Sequence, residues 1–116
     1  MLKTYTYPQF DYRQSAEQKE GRVARHPVVI IGAGPIGLTA ALECAARGLP
    51  AVVLDDNNTV SIGSRAVCYA KRPLEIWDRH GLGEGFVERG VSWKVGRVFH
   101  REEQVYQFDL LPEPDH

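Results

Sequence analysis

Cysteine is scarce: two residues in 116, Cys44 and Cys68, cannot make a disulfide framework. Cys44 falls within an Ala-rich helical pattern and reads as a small buried residue, while no motif beside Cys68 marks it as a nucleophile. An excess of basic charge is also lacking. Fourteen Lys and Arg stand against fifteen Asp and Glu, for a net charge of −1, so the electrostatic footprint of a nucleic-acid binder is absent. No apolar run approaches the roughly 20 residues of a membrane span. The N-terminus is polar and aromatic where a signal peptide would be apolar, so a cytoplasmic protein without membrane contact is expected. The four histidines, His26, His80, His100 and His116, have no metal-ligand spacing, and no metal is assigned. Repeats and low-complexity segments are missing too. What remains is the length of one small domain with an ordinary hydrophobic fraction of 43%.

The informative stretch is Val28-Val29-Ile30-Ile31-Gly32-Ala33-Gly34-Pro35-Ile36-Gly37. Four consecutive β-branched residues predict a buried parallel strand. They run directly into Gly-x-Gly-x-x-Gly, and Leu38, Ala41, Leu42 and Ala45 then recur at helical spacing. Gly32 permits the sharp turn, Gly34 lets backbone approach a pyrophosphate, and Gly37 lets the helix pack closely on the strand. Arg47 and Gly48 make a helix stop. A second apolar run, Ala51-Val52-Val53-Leu54, ends in Asp55. That acid lies 23 positions after Gly32, close to the roughly 20 expected of the carboxylate that grips a ribose hydroxyl. A lone glycine motif is weak, but strand, turn, helix, strand and acid in this order predict a dinucleotide-binding unit.

Elsewhere the reading is plainer. Residues 1–27, with Tyr5, Tyr7, Phe10 and Tyr12, form either an arm that docks aromatic side chains or a disordered tail. After Asp55, Asp56-Asn57-Asn58-Thr59 is a polar turn, and Gly63-Ser64-Arg65-Ala66 is a flexible loop around one arginine. Arg65 by itself reads either as a solvated side chain or as a guanidinium over phosphate. From Arg72 a helix is expected, with Pro73 at its first position, Leu74 and Trp77 on one face, and Gly81 as its stop. A short helix from Glu84 to Arg89 follows. Val91, Trp93, Val95 and Phe99, then Tyr106, Phe108 and Leu110, alternate as two half-buried strands of an antiparallel hairpin. Arg101-Glu102-Glu103-Gln104 between them lacks the Gly or Asn of a tight turn.

The glycine run, Asp55, the Gly63–Ala66 segment, the stretch Arg72–Trp77 ahead of Gly81-Leu82-Gly83, and the later Val91–Phe99 and Phe108–Pro114 together resemble the FAD-dependent aromatic hydroxylases. These are single-component flavoprotein monooxygenases similar to para-hydroxybenzoate hydroxylase and phenol hydroxylase. The resemblance implies FAD as cofactor, NAD(P)H as co-substrate, O₂ as oxidant and a phenolic or aromatic substrate. It places the cofactor at Gly32, Ala33, Gly34, Pro35, Ile36, Gly37, Asp55, Asp56, Ser64 and Arg65, and it assigns no catalytic acid or base. Asp55 stands where the family often has Glu.

The expected fold class is therefore α/β: a Rossmann-like βαβ dinucleotide-binding unit, two short helices and an antiparallel β-hairpin, truncated from a larger FAD/NAD(P)-binding fold. The expected divisions are an arm over 1–27, the FAD-binding unit over 28–90, and the start of a substrate-domain sheet over 91–116. Such a fragment is expected to be inactive alone and to self-associate through exposed strands. A non-catalytic nucleotide-binding module and an NAD(P)-dependent dehydrogenase fragment are the alternatives, the latter because the glycine motif serves both cofactors.

Overall fold

In the computed structural model, which describes residues 6–62 and 68–110, the first element is a helix. Helix α1 (Ala16–Glu20) is one turn held by a capping box. The Gln18 N–H donates to Ser15 Oγ at 3.2 Å, and the Ser15 N–H donates back to Gln18 Oε1 at 3.0 Å. Gly21, left-handed at φ 61°, ends it. The arm ahead of α1 is also engaged, since Gln9 forms an antiparallel bridge with Thr59.

Strand β1 (Val28–Ile31), helix α2 (Pro35–Ala46) and strand β2 (Ala51–Leu54) follow. The two strands pair in parallel, Val28 with Ala51 through to Ile31 with Leu54, and α2 packs on both. Pro35 opens α2, where its missing N–H costs nothing. Gly48, at φ 66°, turns the chain out of it. Burial along β1 alternates, with Val28 and Ile30 half-buried and Val29 and Ile31 exposed. The continuous apolar run predicted burial on both faces; α2 covers one, and Ile31 remains 78% exposed. Cys44, expected inside, is half-buried on α2.

The chain divides into two compact units, Met1–Pro73 and Leu74–His116. Helix α3 (Lys71–Asp78) begins two residues before the expected start, so Pro73 sits third in its first turn, where a donor is still dispensable. Gly81, left-handed at φ 73°, turns the chain into α4 (Gly83–Arg89). The α3–α4 corner is close, because a Cβ on Gly83 would overlap the Asp78 side chain. Trp77 stacks on Phe86 across it, with ring centroids 4.4 Å apart and planes at 16°. At 7% exposure, Trp77 is the one large apolar side chain that is buried among the described residues.

Strands β3 (Val95–His100) and β4 (Glu103–Asp109) form the antiparallel hairpin. It departs from expectation in three ways. Val91 and Trp93 precede the strand, and the connection shrinks to Arg101-Glu102 because Arg101 itself adopts φ 56°. The ladder shifts register between Val98 and Phe99, a bulge that offsets the outer half of the strand. Phe108 is half-buried as expected, but Val95, Phe99 and Tyr106 are exposed where half-burial was expected. Only Gly96 is buried in β3, under the ring of Phe108, which fills the space a side chain at Gly96 would need. The residues after Leu110, and with them the end of the Phe108–Pro114 stretch, lie outside the described residues.

Candidate functional site

The site is built at the carboxyl ends of β1 and β2. Pairing runs one residue beyond β1, where the Gly32 N–H donates to Leu54 O at 2.7 Å. Gly32 then takes φ 101°, a conformation open to glycine alone at low cost, and the chain swings into α2. Gly37 lies one turn into the helix and directly against this corner. A Cβ there would overlap the Gly32 carbonyl oxygen and come within 3.0 Å of Gly32 C and 3.2 Å of Ile30 Cγ2. Gly34, by contrast, faces open space, with nothing within 4 Å of a Cβ built on it. One glycine makes room for the fold and the other for something outside it.

Helix α2 has no side-chain cap at Gly34. Its first internal bond is donated by Leu38 N–H to Gly34 O at 2.9 Å, so the N–H groups of Ile36 and Gly37 precede the ladder. These donors and the positive end of the helix dipole favour an anion at the turn.

Asp55 closes the site from β2. Its Oδ2 accepts the Ala33 N–H at 2.6 Å, tying the acid to the glycine turn 22 positions earlier. Its Oδ1 accepts the Asn57 N–H at 2.8 Å. The Ala33 bond first, and the Asn57 bond second, hold the Asp55 carboxyl below the usual carboxylate range. An ionised carboxylate offers about four lone-pair directions, so two N–H donors leave room for the hydroxyls of a ribose. Asp56, next in the chain, turns to Asn57 and accepts its side-chain Nδ2 at 2.8 Å.

The structure thus gathers Gly32, Ala33, Gly34, Pro35, Ile36, Gly37 and Asp55 at one corner, with Asp56 at its edge. Ser64 and Arg65, also expected here, lie outside the described residues. Sequence reasoning missed the Ala33–Asp55 bond and the contact of the arm with Asn58 and Thr59. No residue pattern signals a backbone N–H as a partner.

A family model described as "FAD binding domain" matches residues 25–114. The chain belongs to the FAD binding domain family. Its cofactor is FAD, which resolves what the glycine motif left open between FAD and nicotinamide. Three curated relatives are similar to parts of the chain. A flavin-dependent monooxygenase of Mycobacteroides abscessus is 34% identical over 84 residues, which is 72% of this chain and 18% of the relative. A rifampicin monooxygenase of Streptomyces venezuelae is 36% identical over 72 residues, 62% of this chain and 15% of the relative. A para-nitrophenol 4-monooxygenase of Pseudomonas sp. is 39% identical over 64 residues, 55% of this chain and 16% of the relative. No solved structure matches. The FAD binding domain chain therefore spans less than a fifth of the length of the relatives it matches. The corner fits the cofactor: Gly34 is bare on the open side, unused N–H groups start α2, and Asp55 retains acceptor capacity. Among the described residues, no helix is long and apolar enough to cross a membrane.

Proposed function

We propose that this chain is the FAD-binding portion of a flavin-dependent monooxygenase that hydroxylates a phenolic or aromatic compound, with NAD(P)H and O₂ as co-substrates. The observation that carries the reading is the 2.6 Å bond from Ala33 N–H to Asp55 Oδ2. It brings the β2 acid against the glycine turn at the ends of two parallel strands, which supports a Rossmann-like corner with a phosphate turn and a ribose-binding acid side by side. The Gly32–Gly37 turn holds the pyrophosphate, Asp55 holds the adenosine ribose with Asp56 beside it, and Ser64 and Arg65 contribute from the following loop. FAD, when bound, supplies the redox chemistry with NAD(P)H and O₂; the chain supplies position and charge. The proposed functional divisions are an arm over 1–27, a cofactor unit over 28–90 and the beginning of a substrate-domain sheet over 91–116; the boundary between the two compact units falls inside the second of these, after Pro73. The two unpaired thiols, Cys44 and Cys68, support a reducing compartment such as the cytoplasm.

Titration with FAD tests this reading. Purified 116-residue protein should bind FAD and take on visible flavin absorption, and a chain that does not bind FAD overturns the proposal. No residue here is assigned to acid–base work, so the same preparation should not couple NAD(P)H oxidation to hydroxylation of a phenol. A hydroxylated product would contradict that part.

Self-association is also proposed. Val29, Ile31 and Leu54 in one sheet, and Val98, Phe99 and Tyr106 in the other, are exposed on ribbons that have two strands each and unpaired edges among the described residues. Unpaired edges and apolar patches recruit further strands, and a two-fold dimer buries both. Light scattering over a concentration series should report a dimer or larger species. A compact monomer that melts cooperatively at micromolar concentration would refute it.

A further inference from the structure

We propose that the N-terminal arm is a positioning segment for the adenosine half of the cofactor, acting through Asp55. The inference rests on the FAD reading above. The arm lies outside the matched FAD binding domain, which begins at residue 25. It is nonetheless bonded to the loop that leaves the site. The Phe10 N–H donates to Asn58 O at 2.7 Å, Thr59 Oγ1 donates to Pro8 O at 2.7 Å, and Gln9 bridges Thr59. From that loop the Asn57 N–H donates to Asp55 Oδ1 at 2.8 Å, and Asp55 Oδ2 accepts from Ala33 in the glycine turn. Hydrogen bonds tie the arm to Asn58 and Thr59, and tie the adjacent Asn57 to the acid and the acid to the turn, with the loop backbone joining the two sets.

The physical need for such a device is local. Asp55–Thr59 is a polar loop, mostly exposed, at the end of a two-stranded sheet. Left alone, it samples many conformations, and binding must then fix the carboxylate at an entropic cost. Pinned at Asn58 and Thr59 by a segment about 50 positions away, the loop presents Asp55 already aimed. The ligand class is a ribonucleoside diphosphate, alone or as the adenosine half of FAD. The effect must pass through the ribose hydroxyls, because Asp55 is the group being aimed.

Deletion of residues 1–14 is the first test, with ADP, 2′,3′-dideoxy-ADP and FAD as probes. The deletion should weaken ADP and FAD about tenfold, the scale of one or two hydrogen bonds, and dideoxy-ADP by less than about twofold. Two variants leave the arm in place. Phe10→Pro removes the N–H given to Asn58, and Thr59→Val removes the hydroxyl given to Pro8. Each should weaken ADP about threefold, whereas Thr59→Ser, which keeps the hydroxyl, should restore wild-type binding. In the intact chain without ligand, hydrogen exchange at the Phe10 amide should be slowed. Unchanged ADP affinity on deletion, equal losses for ADP and its dideoxy analogue, or free exchange at Phe10 would each overturn the arm's role while leaving FAD binding intact. A wild-type chain that binds neither ADP nor FAD would overturn the underlying FAD reading instead.

Discussion

Gly37→Ala is expected to abolish FAD binding and lower the melting temperature, while Gly34→Ala is expected to abolish binding and leave the melting temperature unchanged. The two glycines stand three positions apart in one motif, but their surroundings differ. At Gly37 the added carbon overlaps backbone, the Gly32 carbonyl oxygen, which cannot rotate aside. Gly32 is itself fixed by its bond to Leu54 O and by its φ of 101°. Relief requires α2 to lift from β1, at the cost of about 1–3 kcal/mol or more typical of overpacking. At least about a hundredfold loss of FAD affinity should accompany it, because the helix start and the turn separate. At Gly34 the helix entry has extended backbone that alanine adopts freely, and the added carbon meets nothing. The fold tolerates it, and the only thing it obstructs is a phosphate approaching the turn. Calorimetry with FAD titration on both variants checks this. Wild-type affinity in Gly34→Ala would remove the pyrophosphate from the turn.

The second large effect belongs to Asp55. Asp55→Ala removes the acceptor of the Ala33 N–H and the proposed partner of the ribose, and FAD should bind about 10- to 100-fold more weakly. Equal affinities would refute the ribose role. Acid adds an independent signature. Because the Ala33 and Asn57 N–H groups lower the carboxyl's folded-state value, ionised Asp55 favours the folded chain. That contribution is complete above the ordinary value of 3.8 and is lost as pH falls through the lower folded value. Wild type should therefore lose stability on acidification below about pH 4, and Asp55→Asn should lose less over the same window. Thermal melts of the two proteins between neutral and acid pH measure the difference; parallel curves would show that the carboxylate contributes nothing.

Periodicity and punctuation account for what was legible. β1, α2 and β2 could be placed because β-branched runs, an Ala-rich helical period and glycine stops agree at every position from Val28 to Asp55. Two other features are written in the local sequence. Ser15 followed by Gln18 is a capping box in plain sequence, and it starts α1. Pro73 drew the helix start to itself, although a first turn accommodates proline at its third position as well as its first. The hairpin turn was hidden for a physical reason. A positive φ at a non-glycine residue is paid for by the ladder on either side, and nothing in Arg101 advertises it. Long-range backbone bonds, from Ala33 to Asp55 and from Phe10 to Asn58, involve groups every residue carries, so side-chain chemistry does not encode them.

The near-solitary burial of Trp77 among the described residues has a thermodynamic consequence. The heat-capacity increment of unfolding scales with apolar surface newly exposed to water, and in this chain much of that surface is already wet. The free energy of unfolding should follow a shallow arc with temperature, and the response to urea should be correspondingly gentle. Any partner surface or cofactor that covers the two ribbons would steepen both, so the curvature of the stability profile is itself a gauge of how much of the protein's apolar surface has found cover.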